Sequence, residues 1–332
     1  MNILIYGAGA IGGHIAYCMH ASGYNVFVLT RGDHYKAIKS NGLIIKIHNN
    51  KKLLSKVTIK ESENFHVIKT LKLIKLIKLD CIFITVKLKD YNFKLINKIK
   101  PFLNKNTAVI PPCTNIPLWW ILGNKILAKK FVEKIYNHKL IKKNYFKVNN
   151  IIGMTMWVSA VVEKPGYIKL RHTQRGYPLK AIKRGMISKS ENIKKSLENY
   201  SKSPEIKDIF SEVFIKSLNA LAFNTVALKY KFNNYELKKS NEALKAIRKI
   251  MEEGENILNI LKIDFFQTSA QRINQTLSSS AHTMSMLNDY NIRKEVELKY
   301  LWSSFQLVCK CLDVKMKFTE QLVKTTLKEI NY

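Results

Sequence analysis

Gly7-Ala8-Gly9-Ala10-Ile11-Gly12 has the spacing G-x-G-x-x-G. Glycines set apart in this way suit one kind of chemistry, the holding of a diphosphate. The first permits a tight strand-to-helix turn, the second lets the main chain approach the pyrophosphate, and the third lets the helix pack closely on the sheet. The helix opened by such a loop begins with N–H groups that lack an intrahelical acceptor, and phosphate oxygens can take them. All six residues are therefore candidate cofactor-binding residues.

About 20 residues further on, "VFVLTRGDH" (Val26 to His34) covers the position where an NAD site places an acid on the ribose 2′-hydroxyl. Thr30 and Arg31 occupy it here, and Asp33 comes late. A carboxylate would repel a 2′-phosphate, whereas the guanidinium fork of Arg31 suits one and Thr30 adds a hydroxyl. These residues point to NADPH/NADP+ as the cofactor. The competing reading makes Arg31 a surface arginine and gives the ribose to Asp33. Lys87 ends the apolar run "CIFITVK", at what should be the carboxyl end of a parallel strand beside a ligand crevice. Its competing reading is one more surface lysine. Lys216, Ala220 and Asn224 stand at i, i+4 and i+8 and share a helical face. Ser285, Asp289, Arg293 and Glu297 are also spaced by four, and form one stripe if their segment is helical. For Asp289 and Arg293 a salt-bridged helix face is the better reading.

The elements that must position these groups are legible in part. "NILIY" predicts a strand over 2–6, followed by a helix with Ile11, Ile15, Ala16 and Met19 at helical spacing. Gly23 ends it, and "YNVFVLT" is a second strand, completing a βαβ unit. Residues 41–67 read as irregular and lysine-rich. Residues 69–78 repeat lysine every third position, either as a solvated surface segment or as a basic amphipathic helix on a membrane. "NTAVIPP" is another strand, residues 119–150 resist assignment, and 151–172 reads as strands broken by a Pro165-Gly166 turn. After Ser203-Pro204 the pattern is mostly helical. The expectation is an α/β fold in two domains: a Rossmann-like parallel-sheet domain over 1–204 that binds NADP, and an all-helical domain over 205–332. The site should lie in the cleft they form.

Composition narrows the classes. Nearly half of the 332 residues are hydrophobic, but no run reaches the roughly 18 apolar residues of a membrane span. The apolar start carries no signal-peptide features, so the expected location is cytoplasmic. Five cysteines, odd in number and without a CxxC pair, argue against a disulfide framework or a zinc site, and no metal is expected. The formal net charge of +32 suggests a polyanion partner, yet only seven of the 56 basic residues are arginine. Lysine, asparagine and isoleucine in such abundance fit drift in an A+T-rich genome. No specific nucleic-acid partner is expected, only weak salt-sensitive sticking.

The order of motifs resembles the ketopantoate reductase (2-dehydropantoate 2-reductase) family over most of the chain. The blocks are "GAGAIGG" with "TRGDHYKAIKSNGLII", "DCIFITVK", "IKSLNALAFN" followed by "NNYEL", and "SMLNDYNIRKEVELKY". The last is the most specific. The resemblance implies NADPH-dependent reduction of 2-dehydropantoate to pantoate, in pantothenate and coenzyme A biosynthesis. It implies that Lys216 is the general acid and that Glu297 lies near it and the nicotinamide ribose. Lys87 would hold cofactor or substrate, while Asn224, Asn234 and Ser285 would bind substrate. Two departures touch the substrate side. Ala220 stands where the family has asparagine, with Asn219 next door. "PPCTNIPLWW" replaces a Gln-Asn-Gly-like turn: alignment on Ile116-Pro117 puts Thr114 at the family's asparagine, and a one-residue slip restores Asn115 as the candidate cofactor-side group, with Trp119 and Trp120 either covering the cleft or packed in the core. A reductase of another 2-oxo acid or carbonyl compound, and a non-catalytic NADP-binding homologue, are the alternatives. The expected partner is a small 2-oxo acid, and a homodimer is left open.

Overall fold

The computed structural model describes residues 1–49, 52–134, 147–278 and 283–330, without the side chains of 172–174. The chain divides into two units, Met1–Cys113 with Lys143–Ile209 and Thr114–Lys142 with Phe210–Tyr332.

In the first unit the expected βαβ start is present as β1 (Asn2–Tyr6), α1 (Ala10–Ala21) and β2 (Asn25–Leu29). α2 (Gly32–Asn41) follows, then β3 (Leu43–Asn49), β4 (Lys52–Ile59) and β5 (Phe65–Ile68). Three strands thus replace the irregular stretch expected over 41–67. The reason is strand pairing, local between β3 and β4 and long-range elsewhere. β3 lies beside the antiparallel β4 on one side and pairs in parallel with a strand from residues 167–171 on the other. β4 is a lysine-bearing, mostly exposed edge strand, where polar residues are normal.

Next come β6 (Cys81–Ile84), α3 (Phe93–Ile99) and β7 (Ala108–Ile110). β6 stops three residues short of Lys87, because its neighbours run out: Ile84 pairs with Tyr6, the last residue of β1, and Phe83 with Ile110, the last of β7. The lysine-rich 69–78 segment forms only a short 3-10 turn, Leu71–Ile74, not an amphipathic helix. No helix among the described residues is long and apolar enough to cross a membrane.

After β7, α4 (Leu118–Gly123) and α5 (Lys125–Lys134) fall in the second unit. They account for much of the stretch that resisted assignment; residues 135–146 lie outside the described residues. The chain returns to the first unit with β8 (Ile152–Met154), β9 (Trp157–Lys164), β10 (Tyr167–Gly176), β11 (Leu179–Ala181) and α6 (Ile187–Tyr200).

Five parallel strands make the main sheet, in the order β5-β2-β1-β6-β7. Ile3, Leu4 and Ile5 of β1 are all fully buried, so both faces are covered, as an all-parallel sheet requires. The chain leaves β1 toward β2 and β5, then crosses back to β6 on the other side of β1. That reversal is the point at which open α/β sheets form a ligand crevice. A second, mixed sheet has the order β4-β3-β10-β9, and its β9–β10 turn is the expected Pro165-Gly166 turn, with Gly166 at φ +79°.

The second unit is helical: α4, α5, α7 (Ile209–Tyr230), α8 (Asn234–Lys239), α9 (Asn241–Leu261), α10 (Ser269–Leu277), α11 (Ser285–Asn291), α12 (Leu298–Leu312) and α13 (Lys317–Ile330). α7 is buried along most of its length, with Phe214, Ile215, Leu218, Leu221, Phe223 and Val226 in the core beside the buried polar residues Glu212, Asn219 and Asn224. Trp119 and Trp120 are buried against Phe210, and Trp120 donates from Nε1 to the Phe210 carbonyl at 2.8 Å. Packing therefore decides their role. The five cysteines are buried and free.

Candidate active site

The glycine loop has the form its spacing demands. Gly7 leaves β1 at φ +108°, a left-handed conformation that favours glycine. Its carbonyl accepts from Thr85 Oγ1 at 2.6 Å, which pins the loop to the end of β6. A Cβ on Gly12 would sit 2.0 Å from the Gly7 oxygen and 2.5 Å from Thr85 Oγ1, so no side chain fits there. Gly9 is the opposite case, with open space where its Cβ would be. Gly9 is also the N-cap of α1. It provides no side-chain cap, and the first turn carries no acidic residue, so the positive helix end is not cancelled. These features fit a diphosphate: a bare cradle, free room above Gly9, and N–H donors from Ala10 to Gly12 with no acceptor inside the helix.

Thr30 and Arg31 follow β2. Thr30 is buried, and its N–H goes to the Ile68 carbonyl at 3.1 Å. Arg31 is exposed as the N-cap of α2. Its charge and that of Asp90 both act on the Tyr6 phenol, whose pKa is raised chiefly by burial, so Arg31 lies close to the end of β1. Asp33 is an exposed partner of Lys36 at 3.6 Å within the same helix. Lys87 is exposed, ahead of the turn Leu88–Asp90.

A residue that sequence reasoning passed over completes this loop. His34 Nε2 lies 2.7 Å from the Ala8 carbonyl, and the Gly166 N–H donates to His34 Nδ1 at 3.0 Å. His34 stands inside the motif that was read for Arg31 and in an Arg-x-x-His stretch that is part of the family resemblance, but its second partner is 132 residues away and its role is not legible locally.

In the second unit, α7 carries Lys216, Ala220 and Asn224 along one side. Lys216 is partly buried, and burial pushes its ammonium down to about 8, because a low-dielectric surrounding disfavours the charged form. Asn224 links two motifs that are far apart in sequence. Its Nδ2 donates to the Ala220 carbonyl at 2.8 Å, and its Oδ1 accepts from the Met286 N–H at 3.1 Å. Ser285, exposed at the first position of α11, is thereby held next to α7. Asn234 is fully buried behind the N-cap Asn233, whose capping box with Glu236 starts α8. Asn234 Nδ2 donates to the Thr276 carbonyl at 2.9 Å, while its Oδ1 has no partner among the described residues.

The stripe from Ser285 to Glu297 does not form as one face. α11 ends at Asn291, Arg293 takes φ +54°, and Glu297 begins again as the N-cap of α12. Asp289 and Arg293 are therefore not on a common helix with Glu297, which is partly buried. Asn115 is half-buried in the bend before α4, and the neighbouring Ile116 N–H donates to Ser304 Oγ of α12 at 3.2 Å. Asn219 cannot stand in for the asparagine missing at 220. Its Oδ1 accepts from the buried Arg272 at 3.0 Å, and Arg272 in turn pairs with Glu255.

Comparison with known proteins agrees with both halves. The family profile described as Ketopantoate reductase PanE/ApbA matches residues 3–113, and its C-terminal counterpart matches residues 208–328. A 2-dehydropantoate 2-reductase of Mesorhizobium japonicum is 24% identical over 321 residues, covering 94% of this chain and 93% of that protein. Among solved structures, the 2-dehydropantoate 2-reductase of Geobacter metallireducens GS-15 superposes with a TM-score of 0.78 at 17% identity over the whole of both chains. A D-mandelate dehydrogenase, in a ternary structure with NADH and anilino(oxo)acetate, gives 0.75 at 20% identity, over 99% of this chain and 98% of that one. At such identities the structures attest the fold, while the two profiles span most of the sequence. The chain belongs to the ketopantoate reductase family of oxidoreductases.

Proposed function

We propose that this chain reduces a 2-oxo acid to the 2-hydroxy acid with NADPH, and that 2-dehydropantoate, giving pantoate for pantothenate and coenzyme A biosynthesis, is the first substrate to test. The observation that carries the reading is Lys216, a cation on a core helix whose burial lowers it to about 8. An ammonium so depressed gives up its proton readily and still carries it at neutral pH, as a general acid should.

The dihydronicotinamide supplies the hydride when bound. The first unit would hold its diphosphate on the Ala10–Gly12 N–H groups, and Arg31 with Thr30 would take the 2′-phosphate; Lys87 and Asn115 are the further cofactor-side candidates. No acid ends β2, and Asp33 comes later, inside α2, which supports NADPH over NADH. In the second unit Lys216 would hydrogen-bond the substrate carbonyl, stabilise the developing alkoxide and deliver the proton. Ser285 and the second Nδ2 hydrogen of Asn224 would bind the carboxylate, and Asn234 Oδ1, a buried acceptor without a donor, suits a substrate hydroxyl. Glu297 would orient Lys216 or the ribose. A cytoplasmic location belongs to the same reading.

A second reading keeps the chemistry and changes the acid. Ala220 offers no amide, and Asn219 is committed to Arg272, so the pocket has one polar contact fewer for a hydroxylated substrate. The test is a panel of 2-oxo acids followed by NADPH absorbance, with NADH alongside. The expected outcome is turnover with a preference for NADPH, abolished in Lys216→Ala while that variant still binds NADPH. Normal turnover in Lys216→Ala would remove Lys216 from the mechanism, and an NADH preference would overturn the role of Arg31.

A further inference from the structure

We propose that His34 is a positioning residue for the dinucleotide, holding the Ala8–Gly9 peptide in the orientation that presents the Gly9 N–H to a phosphate. The proposal rests on the reading that the glycine loop binds a dinucleotide.

Both partners of the ring are main-chain groups whose roles cannot change. The Gly166 N–H can only donate, so Nδ1, at 3.0 Å, must be bare. The Ala8 carbonyl can only accept, so Nε2, at 2.7 Å, must carry the hydrogen. The tautomer is thus dictated by two contacts at opposite ends of the ring. Burial lowers the His34 pKa, which keeps the ring in the neutral form that this pairing needs.

The far end of this link is itself anchored. Gly166 sits in the β9–β10 turn, its carbonyl accepts from the Ile44 N–H of β3 at 2.9 Å, and a Cβ on it would lie 3.2 Å from Ala37 of α2. His34 therefore ties the loop to the β9–β10 turn, which is itself hydrogen-bonded to β3.

The consequence for the loop follows from peptide geometry. In a planar trans peptide the C=O and the N–H point in opposite directions. Pinning the Ala8 oxygen toward His34 turns the Gly9 N–H the other way. A flip of the same peptide would aim a carbonyl dipole at the diphosphate in place of a donor. Glycine at position 9 has little conformational resistance to such a flip, so an external restraint is needed.

Two amide variants divide the ring's two bonds. His34→Gln reaches as far as Nε2 and keeps a donor for Ala8. His34→Asn keeps an acceptor for Gly166 and is too short to reach Ala8. His34→Ala has neither. The measurement is the NADPH dissociation constant by nucleotide fluorescence on protein whose near-UV circular dichroism matches wild type, together with kcat and KM. We expect His34→Gln to bind NADPH close to wild type, and His34→Asn and His34→Ala to bind it about tenfold more weakly, the worth of one good hydrogen bond. The loss should fall on KM for NADPH and not on KM for the oxo acid. Wild-type affinity in His34→Asn, or His34→Gln as weak as His34→Ala, would overturn the proposal alone. A wild-type chain that binds neither NADPH nor NADH would overturn the underlying reading and the proposal with it.

Discussion

Lys216 shows how one residue's surroundings set its chemistry. The chain has dozens of lysines, and residue type alone distinguishes none of them. This one lies on a helix whose other faces are packed with leucine, isoleucine and phenylalanine, and burial lowers its pKa to about 8. The sign of the resulting pH dependence is definite. The ammonium is the acid, so it is competent below about 8 and lost as pH rises through that value. Reduction of the oxo acid, followed as kcat/KM against pH, should fall on that alkaline limb. Lys216→Arg, which never deprotonates in this range, should lose the limb along with most of the rate. A wild-type profile that stays level through the range would remove Lys216 as the proton donor.

Elements succeeded or failed according to how local their causes are. β1, α1 and β2 follow directly from apolar runs, glycines and helical spacing within some thirty residues. Gly12 illustrates the tightness of that unit. Gly12→Ala would drive a methyl group into the Gly7 carbonyl, backbone that cannot move without parting β1 from α1. We expect a loss of about 1–3 kcal/mol of stability and of NADPH binding, read by thermal unfolding and nucleotide titration. Unchanged binding in that variant would mean that the loop is looser than its contacts require. The α11–α12 segment failed for an equally concrete reason. A spacing of four holds only while the helix continues, and Arg293 at φ +54° ends it. Nothing in the types of Asn291, Ile292 and Arg293 announces that break.

At the scale of the whole molecule the net charge of +32 is the dominant physical property. Its basic residues are overwhelmingly lysine, spread along the chain, and the family assignment does not call for a nucleic-acid partner. The expected behaviour is weak retention on heparin or on any nucleic acid at low salt, lost steeply as salt rises, with no sequence preference. Retention that survives high salt, or that favours one sequence, would mean that a selected polyanion site exists. The chain builds both units in the same discontinuous way: each takes residues from two separate stretches. Thr114 onward leaves the first unit, and β8 to β11 return to it, with β10 pairing against β3 more than a hundred residues earlier.

The amino-acid sequence by itself determined what depends on near neighbours. It specified the parallel-sheet start, the glycine loop, Thr30 and Arg31 in place of an acid at the end of β2, the helical second half, and the motif order that matches the family. Those features follow from residue type and short-range periodicity, which a linear string records in full. Only the tertiary structure decided that β3 is a strand paired with β10, that Asn224 joins α7 to α11 while Asn219 is claimed by Arg272, and that His34 bridges the glycine loop to Gly166. Each of these depends on a partner tens to more than a hundred residues away. A hydrogen-bonding group carries no mark of which distant partner folding will bring to it.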